Sequence, residues 1–325
     1  MSTDRRRLAA AAFVVSILSV APATAEPFRL EKKFDLATGD RFVLLSEVGE
    51  VELRGVAGRQ ASIVVTSDRA DLVGRYDFRF EQGAGRLRMM AERKDKGVLG
   101  WFQRFGSSLG NVRIAIEVPR ATPVELEAAG GGIDLSGLEA TVKASSSGGG
   151  VKVADIRGAV ALSSSGGGVE VRLVHGALRL ESSGGSVHAD SIDGSVYADS
   201  IGGSVVLENV SGDIQASGTG GGVRIEGAGG RVKAGSSGGP VRVLFAAGNS
   251  KGGDIDSSGG GVVAALDAAA GVEVDAESSG GSVDCDLPVT VHGRVSRDRL
   301  HGTLNGGGAL LRLRSSGGGI TIKRR

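Results

Sequence analysis

The sequence predicts an all-β protein: a parallel β-solenoid (β-helix) of about 18 residues per coil, preceded by a β-rich N-terminal cap or small sandwich. Three observations carry that reading. An apolar residue recurs every nine positions from Ile133 through Val142, Val151, Val160, Val169, Leu178, Val187, Val196, Val205, Ile214, Val223 and Val232 to Val241, without a slip. Alternate members follow a Gly pair, from Gly130-Gly131 and Gly148-Gly149 to Gly238-Gly239, which doubles the period to 18. Gly supplies 56 of the 325 residues but does not fall at every third position, which excludes collagen. Its interleaving with a strict Val/Ile/Leu period excludes simple disorder, because such a period can build a core. A short fixed period marks a solenoid, in which each coil buries its apolar face only against its neighbours.

Taken in order, residues 1–25 read as a secretion signal. Arg5-Arg6-Arg7 is a basic start, Leu8 to Val20 an apolar stretch, and Ala23-Thr24-Ala25 a small-residue cleavage site. The apolar stretch is shorter than the roughly 20 residues that a membrane span needs, so the expectation is an exported chain with no transmembrane span once mature, periplasmic or secreted to the cell surface. Residues 26–127 form a β-rich region in which Arg41 to Leu45, Glu50 to Leu53, Ala61 to Val65, Tyr76 to Phe80, Arg86 to Ala91 and Val112 to Val118 read as strands divided by Gly and Asp turns. Pro119 and Pro123 punctuate the chain before the Gly/Ser/Val repeats of 128–325, regular over 130–243 and looser over 244–325.

Within a coil, the index residue and the residue two places later share a face, as Val151 does with Val153 and Val223 with Ile225. In the second half-coil the companions shrink, as in Val196 with Ala198, which suits two sheets lying close together. A third inward series runs Leu138, Ile156, Val174, Ile192, Val210 and Ala228, and its expected counterpart in the other half is Ser147, Ser165, Ser183, Thr219 and Ser237. The Gly pairs are expected at tight reversals that need positive φ, where stacked corners also leave no room for a Cβ. A run of antiparallel hairpins is the competing architecture. Phe245 to Gly252 reads as a loop, and the final coil at Ser315 to Ile322 ends in Lys323-Arg324-Arg325, a charged guard for an open solenoid edge.

Val118-Pro119 followed by Gly132-Ile133-Asp134-Leu135, the Ser-Gly-Gly-x-Val-x-Val coils, and Leu304-Asn305-Gly306-Gly307-Gly308 ahead of Leu311-x-Leu313-x-Ser315-Ser316-x-Gly318 resemble the bacterial DUF4097 "putative adhesin" family over nearly all of residues 28 to 323. The resemblance implies a β-solenoid envelope protein with adhesion in its label, and it supplies no catalytic residues to carry over.

The residues themselves offer little chemistry. Gly248-Asn249-Ser250-Lys251-Gly252 matches a nucleophile elbow but lacks the strand before and helix after it. His175, His188, His292 and His301 have no metal-ligand spacing, and the Asp residues fall at differing repeat positions, against repeated calcium sites; Asp190, Asp193 and Asp199 could form one incidental site. Cys285 stands alone and reads as a space-filling residue between Asp284 and Asp286, which oppose a thiolate. Net charge is +1, which gives no argument for nucleic acid. The outward positions next to the index residues read Asp134, Lys152, Glu170, His188, Val206, Arg224, Arg242 on one face and Lys143, Ala161, Arg179, Tyr197, Gln215, Lys233 on the other. Trp101, Phe102, Arg104 and Phe105, in a segment that holds the one Trp, are the candidate contact for a partner or a membrane.

The expected protein is therefore a non-enzymatic, exported cell-envelope solenoid that binds or scaffolds, without catalytic, cofactor or metal residues. Its expected partner is an envelope component: polysaccharide, lipid surface or protein. A β-helix enzyme acting on polysaccharide and a self-stacking structural subunit are the alternatives.

Overall fold

The computed structural model describes residues 28–69, 71–94, 111–292 and 296–325. Period-two alternation of apolar and polar residues gives β1 (Phe28–Asp35), β2 (Arg41–Ser46), β3 (Glu50–Val56), β4 (Gln60–Ser67), β5 (Tyr76–Gly83), β6 (Arg86–Arg93), β7 (Val112–Pro119) and β8 (Val124–Ala128), with one helical turn, α1 (Leu72–Arg75), before β5. The regular repeats supply β9 (Ile133–Leu138), β10 (Val142–Ser146), β11 (Val151–Arg157), β12 (Val160–Ser164), β13 (Val169–His175), β14 (Leu178–Ser182), β15 (Val187–Asp193), β16 (Val196–Ser200), β17 (Val205–Val210), β18 (Ile214–Gly218), β19 (Val223–Ala228), β20 (Val232–Ser236) and β21 (Val241–Phe245). There follow β22 (Gly253–Ser257), β23 (Val262–Leu266), β24 (Val272–Ser278), β25 (Val283–Cys285), β26 (Val289–Val291), β27 (Arg299–Leu304), β28 (Ala309–Ser315) and β29 (Ile320–Arg324).

These strands make two sheets face to face. The first runs β1-β4-β7-β3-β9-β11-β13-β15-β17-β19-β21-β23-β29-β25, the second β26-β27-β24-β28-β22-β20-β18-β16-β14-β12-β10-β8-β2-β6-β5. Each 18-residue repeat gives one strand to each sheet and pairs in parallel with its neighbours: Val151 lies beside Val169, and Val142 beside Val160. The parallel solenoid is the architecture, and hairpins are not. Index residues stack on themselves along the axis, so Val, Ile, Leu and Ala fill one core from Phe42 to Ile322. Strands of 26–127 lie in the same two sheets as the repeats, with β3 between β7 and β9 and β8 between β2 and β10.

The two corners of a coil are built differently. Strands of the first sheet carry a left-handed residue near their end, Asp155, Leu173, Ser191 or Asn209 (φ 54°, 55°, 60° and 53°), with Gly137 and Gly227 at the equivalent place. That residue shifts the alternation by one, so Leu138, Ile156, Val174, Ile192, Val210 and Ala228 point inward as the sequence predicts. Strands of the second sheet have no such shift. There the inward third position is Ser146, Ser164, Ser182, Ser200 or Ser236, all buried, while Ser147, Ser165 and Ser183 are exposed. The expected inward series beginning at Ser147 is thus one residue too late, because unbroken alternation carries Val142, Ala144 and Ser146 to one face.

Each buried Ser closes the corner. Ser182 Oγ donates to the Gly167 carbonyl of the preceding coil (3.0 Å) and accepts from the Gly185 N–H (3.1 Å). Ser146 and Ser164 repeat both bonds, and Ser257 and Ser315 carry them into the looser coils. The Gly pairs beside these Ser residues do not adopt positive φ, contrary to expectation. Their requirement is space: a Cβ on Gly185 would lie 2.4 Å from the Gly168 nitrogen. Positive φ belongs to the opposite corner, at Gly158, Gly176 and Gly194 (154°, 149° and 157°).

Antiparallel strands finish both sheets at one end and the second sheet alone at the other. At one, β1 pairs with β4 and β5 with β6, and the two edge strands meet through Phe28 on Phe78 and Phe34 on Phe80, ring centroids 6.2 and 5.6 Å apart. At the other, β27 pairs antiparallel with β24 and β26. The C-terminal coil does not sit at that end. β28 inserts between β22 and β24, and β29 between β23 and β25. Lys323-Arg324-Arg325 therefore continues an interior strand, and the edge it was expected to guard is formed by β25 and β26.

Candidate functional site

Outward residues of the second sheet form a groove of about 750 Å³ across six coils, from Thr141 and Lys143 to Arg231 and Lys233. Its floor is the outward series read from the sequence, Lys143, Ala161, Arg179, Tyr197, Gln215 and Lys233, brought into register by in-line parallel pairing. A second column, which sequence reasoning did not single out, lines it: Thr141, Ala159, Ala177, Ser195, Asp213 and Arg231. The signal was present, since these residues precede each index residue by one and share its period. Ala159, Ala161 and Ala177 make the depression, because small side chains lie there between longer neighbours.

Most charges in the groove are paired, either along the stack or within a strand. Lys143 Nζ donates to Glu125 on the neighbouring strand at 2.7 Å; that bond holds the Glu125 carboxyl below its usual range and raises the Lys143 ammonium. Arg179 pairs with Glu181 and packs its guanidinium over the Tyr197 ring, 4.2 Å from the centroid. Arg231 reaches Asp254 at 2.9 Å, and Arg312 bonds the other oxygen of that carboxylate at 3.1 Å. Asp213 is the one carboxylate lining the groove among the described residues, and it accepts from the Arg231 backbone N–H at 2.8 Å.

Elsewhere the polar groups are dispersed. Asp190 and Asp193 lie on β15 and Asp199 on β16, in opposite sheets, so the incidental three-Asp site is not assembled. Asp190 accepts from Asn209, Asp193 from Ser211, and Asp199 from Ser217. Ser211 is the main reason that the Asp193 carboxyl lies below its usual range, with His175 at 3.5 Å adding to it. His292 and His301 come together, ring centroids 6.1 Å apart, with Thr303 rather than a third ligand beside His292. Among the described residues no three His, Cys, Asp or Glu side chains converge as a metal site would require. Cys285 is half-buried, and burial pushes its thiol up. Asn249 does not form an elbow with Ser250; its buried amide bonds the Ala228 and Gly230 carbonyls and fixes the loop after β21. Trp101, Phe102, Arg104 and Phe105 lie outside the described residues. No helix among those described is long and apolar enough to cross a membrane.

The model of the Toastrack DUF4097 family matches residues 51–323. The chain belongs to that family. No curated protein matches this DUF4097 chain. Solved structures similar to it include a "putative lipid binding protein" from Parabacteroides distasonis (14% identity, 90% of this chain and 96% of that one, TM-score 0.36). Another is a "putative adhesin" from Parabacteroides merdae (12% identity, 90% and 95%, TM-score 0.33), and a third a "putative cell adhesion protein" from Clostridium sporogenes (13% identity, 92% and 100%, TM-score 0.24).

Proposed function

We propose that this DUF4097 protein is exported and serves at the cell envelope as a non-enzymatic, adhesin-like binding or scaffolding solenoid, with the groove on the second sheet as its contact face. One observation carries the reading: a repetitive, shallow surface whose floor is Ala, Tyr, Arg, Lys and Gln, with Asp213 as its carboxylate. Hydrolysis of a glycosidic bond needs two carboxyl groups about 5–9.5 Å apart on either side of a sugar. Such a surface instead offers a row of evenly spaced weak contacts that add through avidity. Export is supported by the Arg5-Arg6-Arg7 start, the apolar stretch to Val20 and the Ala23-Thr24-Ala25 site.

The test is co-sedimentation of residues 26–325 with peptidoglycan, envelope lipid and whole cells at two salt concentrations. Saturable binding to one fraction is expected, weakened by salt where the cations of the groove contribute. Binding to none of the three sinks the proposal.

A further inference from the structure

Read across its strands from β8 to β28, the second sheet presents a column whose two ends carry opposite charges in mirrored order. The outward column is Glu125, Lys143, Ala161, Arg179, Tyr197, Gln215, Lys233, Asp254 and Arg312, each residue beside the next in the parallel ladder. Tyr197 is its midpoint. Folding the column back on that midpoint sets Glu125 against Arg312 and Lys143 against Asp254. The column two residues further along each strand does the same at its ends, with Glu127 opposite Arg314.

We propose that this face pairs with a second copy of the chain, the two solenoids antiparallel and related by a two-fold axis lying along β16. The inference rests on the reading of this groove as the contact face and names its occupant. A two-fold axis along the strands preserves strand direction, so each column meets itself reversed and an isologous interface closes on two subunits. At either end the Lys143–Glu125 pair faces the Asp254–Arg312 pair of the second copy, four alternating charges in place of two. Tyr197 lies at the centre with Arg179 stacked on it, where a well-packed interface concentrates its aromatic and Arg anchors. Two strands away, the hollow at Ala161 receives the long side chain of Lys233 from the second copy.

The alternative two-fold axis, along the stack, sets Lys143 on Lys143 and Arg312 on Arg312, which like-charge repulsion opposes. In the antiparallel arrangement the like-charge contact is Asp199 with itself, each carboxylate already accepting from Ser217. Nine strands at about 4.8 Å spacing and five residues at about 3.3 Å give a face of about 38 by 16 Å, on the order of 600 Å² before side-chain relief. That is close to the roughly 800 Å² per partner of a stable interface.

Sedimentation velocity of residues 26–325 over about 1 to 100 µM should show a monomer–dimer equilibrium. Tyr197→Lys should raise its dissociation constant at least about 30-fold while circular dichroism and melting stay unchanged. In a Cys285→Ser background, Tyr197→Cys alone should form a disulfide-linked dimer. Lys143→Cys and Asp254→Cys should each stay uncrosslinked alone and crosslink when mixed. A monomer at every concentration, or Lys143→Cys crosslinking with itself, overturns the arrangement. Envelope co-sedimentation of Tyr197→Lys separates this from the reading beneath it: if the wild type is monomeric and the variant loses envelope binding, the face has another partner and only the self-pairing falls.

Discussion

Gly185→Ala tests what sets the spacing of the coils. The new Cβ would lie 2.4 Å from the Gly168 nitrogen and 2.6 Å from both the Gly167 carbonyl carbon and the Gly168 Cα. All three atoms are backbone, so no flexible side chain can move aside. The coil must dilate by roughly 1 Å locally, against a strand separation of about 4.8 Å. Such a shift breaks the Gly185 N–H bond to Ser182, now 3.1 Å, and the Ser182 bond to the Gly167 carbonyl, now 3.0 Å. The ladder bond from the Val169 N–H to the Ser186 carbonyl, 2.9 Å, lies in the same corner. Two or three hydrogen bonds at about 1 kcal/mol each, less about 0.4–1 kcal/mol gained by stiffening the unfolded chain, leave a loss of about 2 kcal/mol. Over about 300 residues that loss should lower thermal melting by about 3 °C. The control is Gly83→Ala at the end of β5, where a Cβ meets nothing within 4 Å, and its melting should stay within about 1 °C or rise slightly. If Gly185→Ala melts with Gly83→Ala, close approach does not explain the Gly pairs.

Ser182→Ala should cost about 1–2 kcal/mol in urea unfolding, whereas Ser183→Ala next to it, which joins the stack through its backbone and leaves its side chain exposed, should cost less than about 0.5 kcal/mol. Asp275 is held below the usual carboxylate range, first by its 2.7 Å hydrogen bond from Arg314 and then by the charges of Arg314, His301 and Arg312. With the folded value depressed, the stabilisation is complete above the unfolded pKa of about 3.9 and is lost as pH falls through the folded one. Asp275→Asn should therefore be less stable than wild type near neutral pH and converge with it in acid, as read from the urea midpoint at successive pH values. Burial that raises the Cys285 thiol should slow its alkylation at pH 8 at least about tenfold relative to the urea-unfolded chain, measured by mass shift over time.

The nine-residue series placed the core of the regular coils residue by residue, because in a parallel, in-register stack every index position meets its own repeat and nothing distant intervenes. Two kinds of information were not in that periodicity. The parity of each half-coil depends on whether one residue turns left-handed; Gly137, Asp155, Asn209 and Gly227 are types that favour this, but Leu173 and Ser191 at the same place are not, which hid the series. Topology at the ends depends on pairings remote in sequence. β3 pairs with β9 across the chain between them, and β28 slips between β22 and β24, which local spacing cannot order. The groove was half legible. Its floor column was written out by period alone, but its depth comes from Ala159 and Ala177, neighbours that matter only once the strands are side by side.

The way the solenoid ends are finished bears on how it can meet a partner. A parallel stack left open would add further chains at either end, since its last strand offers unpaired N–H and C=O groups. Here β1 carries Arg29, Glu31, Lys32, Lys33 and Asp35 along the edge of its sheet, and its Phe28 and Phe34 are committed to Phe78 and Phe80 of β5. At the far end β25 is three residues long, and the Val283 N–H is taken by the Arg297 carbonyl. End-on growth therefore has little to build on. The broad faces remain, and they differ: the first sheet bears the left-handed residues that interrupt its strand alternation, whereas the strands of the second keep unbroken alternation through Tyr197 and the Ala hollow. A surface of straight, in-register columns can match another such surface over its whole length, and a reversed copy of itself is the one whose charges already fit.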